Sequence, residues 1–451
     1  MRRSCSVSSR CACRRLAWAA FAALVPLLVA CGSGSSSTED GPEPQQRCAW
    51  AVRADAETLN IAYPDTAATY WAISYDLAPS ETLELSGTFP SARYASFNSY
   101  GPHGGAIDVL TDSDIRPDAG STNPFADGAD DTDGDHRYTV VVSAEETHED
   151  QPNMIGALPN SETAPLPTGI APSTTTGAGA DPGPEDANRL GSGERGGPDV
   201  ASGTVLYRVY LPDDPADPVG GTGLPDITAV TAEGERRAVP TCESPGPSSR
   251  AIELVENHER DTDRPAPPQP VFVRPQTSDA NLYPNPDNVY IASIAEHRPG
   301  QIVVVQGLAP TFPDPSDGRP VGTGEQVRFW SLCTNEFRKP YPVTACAADR
   351  DTVLDSAGRY TYVISTPHDR PANATRADGV TWLDWGSTEV NNLLLMRHML
   401  ADPAFPEAAT NVEPGAVVAP SMGEYAPSGT YCGVDLFELG GAAACYEADQ
   451  P

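Results

Sequence analysis

The chain has 451 residues, with 62 acidic against 29 basic side chains, a formal net charge of -33 and 39% hydrophobic residues. A surface so acidic repels phosphate backbones and anionic bilayers, so no nucleic-acid partner is expected. Lys339 is the single lysine, and the acidic excess is read as a solubility device rather than a site.

Residues 1–30 begin with Arg2-Arg3, add Arg10, Arg14 and Arg15, and run into an apolar stretch from Leu16 to Ala30. That is the layout of a secretion leader, and the stretch is shorter than the ~20 residues a spanning helix needs. Leu28-Val29-Ala30-Cys31 resembles the bacterial lipobox. The resemblance implies cleavage before Cys31, acylation of its thiol, and a protein exported to the cell envelope and held on the lipid bilayer by an acyl anchor. The competing reading is an ordinary cleaved leader with an incidental cysteine. Residues 31–47 form a Gly/Ser/Pro/Glu tether.

Of ten cysteines, Cys5, Cys11 and Cys13 leave with the leader, and Cys31 carries lipid. The six others are Cys48, Cys242, Cys333, Cys346, Cys432 and Cys445, an even number in an oxidising compartment, which argues for three disulfides. Six cysteines allow about 15 connectivities. Chain order suggests 48 with 242, 333 with 346 and 432 with 445, the last two closing short loops at roughly 3 kcal/mol each. Zinc lacks a Cys-x-x-Cys pair.

The remainder reads as one unit written twice. Tyr63 to Pro90 aligns without a gap on Tyr283 to Pro310, matching Tyr63/Tyr283, Pro64/Pro284, Tyr70/Tyr290, Ala72/Ala292, Gly87/Gly307 and Pro90/Pro310. In the same order Arg93-Tyr94-Ala95-Ser96 answers Arg328-Phe329-Trp330-Ser331, and Asp112 answers Asp349. Arg137 to Ser143 then matches Arg359 to Ser365, and Leu206-Tyr207-Arg208 matches Leu395-Met396-Arg397. The expected divisions are a first repeat over 48–243, a linker over 244–280 and a second repeat over 281–451.

Each block has strand character. Thr82 to Ser86 alternates polar and apolar, which suits a sheet with one wet face, whereas Ile302-Val303-Val304-Val305 should be buried on both sides. Turns come at Pro79-Ser80, Pro299-Gly300, Ala119-Gly120 and Ala357-Gly358. The expected fold is all-β, two tandem, duplicated β-sandwich or jelly-roll units with long Pro/Gly/Ser-rich loops. Short helices are expected only at 249–260 and 403–411, and the stretches 161–203 and 261–270 are too rich in Pro, Gly, Ser and Thr to build a core.

Phe329-Trp330-Ser331, Gly358-Arg359-Tyr360-Thr361, Asp369-Arg370-Pro371, Trp382-Leu383 and Leu393 to Arg397 resemble the jelly-roll family catalogued as domain of unknown function 1214. The resemblance covers about residues 320 to 402, more faintly the first repeat. Cys333 and Cys346 depart from it, as does the lack of the partner domain that usually precedes the family. It implies a fold and no activity.

No Gly-x-Ser-x-Gly, His-Glu-x-x-His or phosphate-binding Gly-rich loop ending in Lys-Ser/Thr is present, and no Gly-x-Gly-x-x-Gly follows a strand. The histidines never fall as His-x-His. Asp131, Asp133 and Asp135 sit at alternate positions beside Gly134, a partial fit to a calcium loop that lacks EF-hand spacing, against a solvated acidic hairpin; calcium is the one cofactor considered. Arg208 and Arg397 occupy equivalent places in each repeat's last matched strand, for which the plain reading is a buried ion pair with an aspartate of the same unit. The sharper one is bidentate capture of an anionic or hydroxyl-rich ligand. Trp382, Trp385, Arg370 and His368 are candidates for a stacking platform near Arg397, although such tryptophans are more often core. The leading expectation is a non-catalytic surface module binding a carbohydrate, polymer or protein ligand. The alternative is an envelope hydrolase or lyase acting on polysaccharide through paired carboxylates such as Asp349, Asp351 or Asp384. Oligomeric state is left open.

Overall fold

The computed structural model describes residues 48–126, 128–129, 135–145, 152–157, 189–190, 199–257, 265–276, 282–322 and 324–449. Cys31, the leader and the tether lie outside them, as do Asp131, Asp133 and most of 161–203.

The fold is all-β. In the first repeat β1 (Val52–Ala54), β2 (Ala68–Leu77), β8 (Ala201–Pro212), β4 (Ala92–Tyr100) and β5 (Ala106–Thr111) lie side by side in that order. A second sheet runs β10 (Arg236–Val239), β9 (Asp226–Val230), β3 (Thr82–Thr88), β6 (Arg137–Ser143), β7 (Met154–Gly156). The second repeat has one sheet of β11 (Asn288–Ala295), β17 (Asn392–Ala401), β13 (Val327–Glu336) and β14 (Val343–Ala348). Its other sheet is β16 (Thr381–Asp384), β15 (Arg359–Ser365), β12 (Gln301–Leu308) and β18 (Ser428–Gly433). Set β1 and β10 aside and the orders coincide: β2-β8-β4-β5 answers β11-β17-β13-β14, and β9-β3-β6-β7 answers β18-β12-β15-β16.

The repetition extends to fine detail. The parallel pairing of β6 with β7 recurs between β15 and β16. Tyr70 stands opposite Arg208 as Tyr290 stands opposite Arg397. Tyr63 and Leu211 have positive φ (59° and 47°), and so do their counterparts Tyr283 and Leu400 (53° and 47°). Side chains other than glycine rarely accept that region, so the same two exceptions at matched places mark one backbone design used twice.

Alternation decides which faces meet. Trp71, Ile73, Phe97 and Tyr207 pack with Leu83, Leu85, Val140 and Ile227 to fill the first sandwich. Ile291, Trp330, Leu394 and Met396 pack with Val303, Val305, Tyr360 and Ile364 to fill the second. Gly87 and Gly307 leave room for Tyr138 and Tyr360, whose rings lie where a Cβ would point.

The opposite faces of the two inner sheets are buried as well, because they meet each other. Ala68, Tyr70, Tyr94, Tyr210 and Leu211 of the first repeat form one cluster with Phe329, Ala348 and Met399 of the second. Reciprocal ion pairs flank it. Arg93 donates to Asp349 at 3.2 and 3.1 Å, and Arg328 donates to Asp112 at 3.1 Å. Each aspartate also accepts a backbone N–H of its own repeat, from Trp330 or Ala95. Sheets thus stack outer, inner, inner, outer.

The disulfides are Cys48–Cys242, Cys333–Cys346 and Cys432–Cys445. Helix α1 (Ser249–Asn257) stands where a helix was expected. Residues 403–411 instead make turns and a single 3-10 turn at Ala409–Asn411, Pro403 and Pro406 preventing more. An unexpected helix, α2 (Val434–Ala448), kinked at Gly441, covers the outer face of the second outer sheet, where Ile302, Val304, Val363 and Phe437 pack together. The stretch 244–280 is more than a linker, since Phe272 enters the second core and Val273 bridges Ala292 and Val417. Among the described residues no helix is long and apolar enough to cross a membrane.

Candidate ligand-binding site

Away from their shared cluster the two inner sheets part, and the gap is a cavity of about 840 Å³, within the ~300–1,000 Å³ typical of small-molecule sites. Its walls follow from strand periodicity. Tyr70, Ala72 and Ser74 on β2 and Thr204, Leu206, Arg208 and Tyr210 on β8 face it from one side. Tyr290, Ala292 and Ile294 on β11 and Leu393, Leu395 and Arg397 on β17 face it from the other. Residues from the 265–276 stretch, from α1 and from the turns at Tyr63 and Tyr283 complete the lining. The described lining is apolar apart from three arginines (Arg208, Arg274 and Arg397), tyrosines, Gln276 and a few small polar groups; it includes no carboxylate, imidazole or thiol.

Arg208 and Arg397 are almost completely buried, at 4% and 2% exposure. Each is held by a turn that crosses over from the other repeat. Arg397 donates to the carbonyl of Tyr63 at 2.5 Å, and Arg208 to that of Tyr283 at 2.8 Å. Two residues after each tyrosine the repeats diverge. Asp65 Oδ2 accepts from Arg397 at 3.2 Å and from Ser331 Oγ at 2.6 Å. The matching residue is Asn285, which bonds with Tyr94 and Asn98. Among the described residues Arg208 therefore binds only neutral oxygens: Asn98 Oδ1 at 2.9 Å, Tyr100 Oη at 2.5 Å and the Tyr283 carbonyl. The rings of Tyr70 and Tyr290 lie 5.0 and 5.8 Å from the respective guanidinium carbons, a cation–π contact each. Burial pushes Tyr100 up to about 12 and raises Tyr70 and Tyr210 too, so these hydroxyls stay protonated beside the cations.

The same-unit aspartate expected for these arginines is thus corrected: Arg397 takes Asp65 from the other repeat, and Arg208 takes no carboxylate among the described residues. The tryptophans form no platform. Trp385 is core, 3% exposed, while Trp382 lies on the outer face with Arg370 stacked 4.5 Å from its ring and its indole bonded to Ser365. A register step of three places them on opposite faces, and neither lines the cavity beside Arg397. His368 is exposed in a neighbouring bend. Of the calcium candidates only Asp135 is described, exposed and bridged through its backbone to Ser121. Asp65, Cys333 and Cys346 bring three ligand-type atoms together, but the cysteines form a disulfide and Asp65 neutralises Arg397, so this is no metal centre. Asp349 is sealed against Arg93, Asp351 is exposed, and Asp384 accepts the Gly386 N–H.

No family model and no curated protein matches the chain. Among solved structures, an uncharacterized protein from Burkholderia cenocepacia is similar at 12% identity over 87% of this chain and 85% of that one, with a TM-score of 0.46. An anti-sigma factor domain-containing protein is similar at 6% identity over 80% and 84%, with a TM-score of 0.16.

Sequence reading reached Arg208 and Arg397 but missed the cavity and the Asp65/Asn285 pair. The signal was present as a charge-changing difference, Asp65 against Asn285, directly after the matched Tyr-Pro of each block.

Proposed function

We propose that this is an exported, lipid-anchored envelope protein that binds a ligand between its repeats without transforming it. The observation that carries the reading is the 840 Å³ cavity, apolar-walled, with buried arginines and no acid, base or nucleophile beyond hydroxyls in its described lining. Hydrolysis of a glycosidic bond calls for two carboxyl groups facing one space, and Asp349, Asp351 and Asp384 do not line this one. Long aliphatic walls also suit a small molecule better than a glycan, whose hydroxyls need partners.

The leader and the lipobox resemblance support the location, and mass spectrometry of the mature amino terminus tests it: an acylated Cys31 is expected, and an unmodified one removes the anchor. Titrating the protein with a neutral solvatochromic dye tests the cavity. Saturable, single-site enhancement is expected, and Leu206→Trp together with Leu395→Trp, which fill the space from both walls, should abolish it while the melting transition persists. Enhancement that survives the filling would place the dye elsewhere.

A further inference from the structure

Resting on the cavity as the binding site, we propose that its ligand is a carboxylic acid with an apolar body, whose carboxylate lies against Arg208 as Asp65 lies against Arg397. The two arginines share strand position, crossing-turn carbonyl and tyrosine ring. They differ in their counter-ion: Arg397 has Asp65, and the corresponding position beside Arg208 is Asn285. Neutral acceptors take Nε and Nη2 of Arg208 but leave a full positive charge in a site 4% exposed. A buried cation is ordinarily neutralised by an anion, and a guanidinium fork matches a carboxylate bidentately.

The rest of the cavity says what the carboxylate is attached to. Leu206, Ile294, Leu393 and Leu395 line the walls near the two arginines, and Leu59 and Ile61 extend the apolar surface. These groups offer dispersion and desolvation and few hydrogen bonds, so a chain or ring of hydrocarbon is accommodated and a polyol is not. Arg397 already holds its carboxylate, and Arg274, the third lining arginine, is half-buried and donates to the backbone carbonyls of Thr410 and Val412, so the deeply buried Arg208 is the cation a carboxylate would meet.

Calorimetric titration of the full chain with dodecanoate and with dodecan-1-ol separates this inference from the reading beneath it. The acid should bind at least tenfold more tightly than the alcohol, the value of a charge-assisted hydrogen bond in a dry site. Asn285→Asp, which supplies the missing internal carboxylate, should erase that preference, and Arg208→Gln should do the same by removing the cation. Equal binding of acid and alcohol overturns the inference and leaves the cavity reading standing, as does a preference that survives both substitutions. Binding of neither compound overturns both.

Discussion

Strand β17 sends Leu394, Met396 and His398 into the second sandwich by simple alternation, and His398 is the one that does not belong there chemically. It is 2% exposed, its Nδ1 has no hydrogen-bond partner among the described residues, and burial alone lowers its pKa from 6.5 to about 4. The corresponding residue in the first repeat is Val209. A base whose folded pKa is depressed contributes stability that is whole above the unfolded value. Below 6.5 the unfolded chain takes the proton first, so stability falls until the folded histidine follows near 4. Over that window the loss is roughly 3 kcal/mol, at about 1.4 kcal/mol per pKa unit. Urea unfolding of the parent and of His398→Val, at several pH values across the window, checks this: the variant should lack that part of the slope. Equal slopes would mean that His398 is hydrated in the folded protein. The burial of this histidine was legible from its place on an apolar face, whereas its lack of a partner was not, because partners come from other strands.

At the scale of elements, the contrast between Thr82 to Ser86 and Ile302 to Val305 carried more information than either stretch alone. Leu83 and Leu85 are buried among half-buried neighbours, while all four residues of the second stretch are 1% exposed or less. The sequence therefore demanded a cover for the second outer sheet but did not say which segment supplies it. Helix α2 escaped notice because Gly440-Gly441 and three alanines break its apolar stripe, and no side chain caps its start. Its attachment is covalent as well as apolar, through Cys432 on β18 and Cys445 on the helix. Replacing both with alanine should cost roughly 3 kcal/mol in the chain-entropy view of a loop this short. The loss should be local first: exchange protection at β18 and the outer face of β12 should fall before that of β17. Uniform loss across the second repeat would assign the disulfide a global role instead.

Duplication was readable in the whole molecule because matched residues recur in order; the docking of one copy on the other was not, since alignment says which residues correspond and not which face each other. Arg93 corresponds to Arg328 and Asp112 to Asp349, yet each arginine reaches the aspartate of the opposite copy. The inner sheets consequently have no wet face to fall back on. Separating the repeats would expose Tyr70, Tyr210, Phe329 and Met399 together with two charged groups at 1% and 0% exposure, so both sandwiches should unfold in one transition. The charges contribute mainly to the choice of docking. Burial pushes Asp349 up to about 6 even beside Arg93, the mark of a pair whose desolvation consumes its attraction. Removing one member should then be expensive and removing both cheaper. Arg93→Met is expected to cost about 3–5 kcal/mol by stranding Asp349, and Arg93→Met with Asp349→Leu to recover part of it, since Asp314, 3.6 Å from Arg93, and the Trp330 N–H each lose a partner in the double variant. Calorimetry should show a single transition in each case, displaced most in the single variant. Two resolved transitions, or a double variant as damaged as the single, would mean that the copies are joined by the chain and not by this interface.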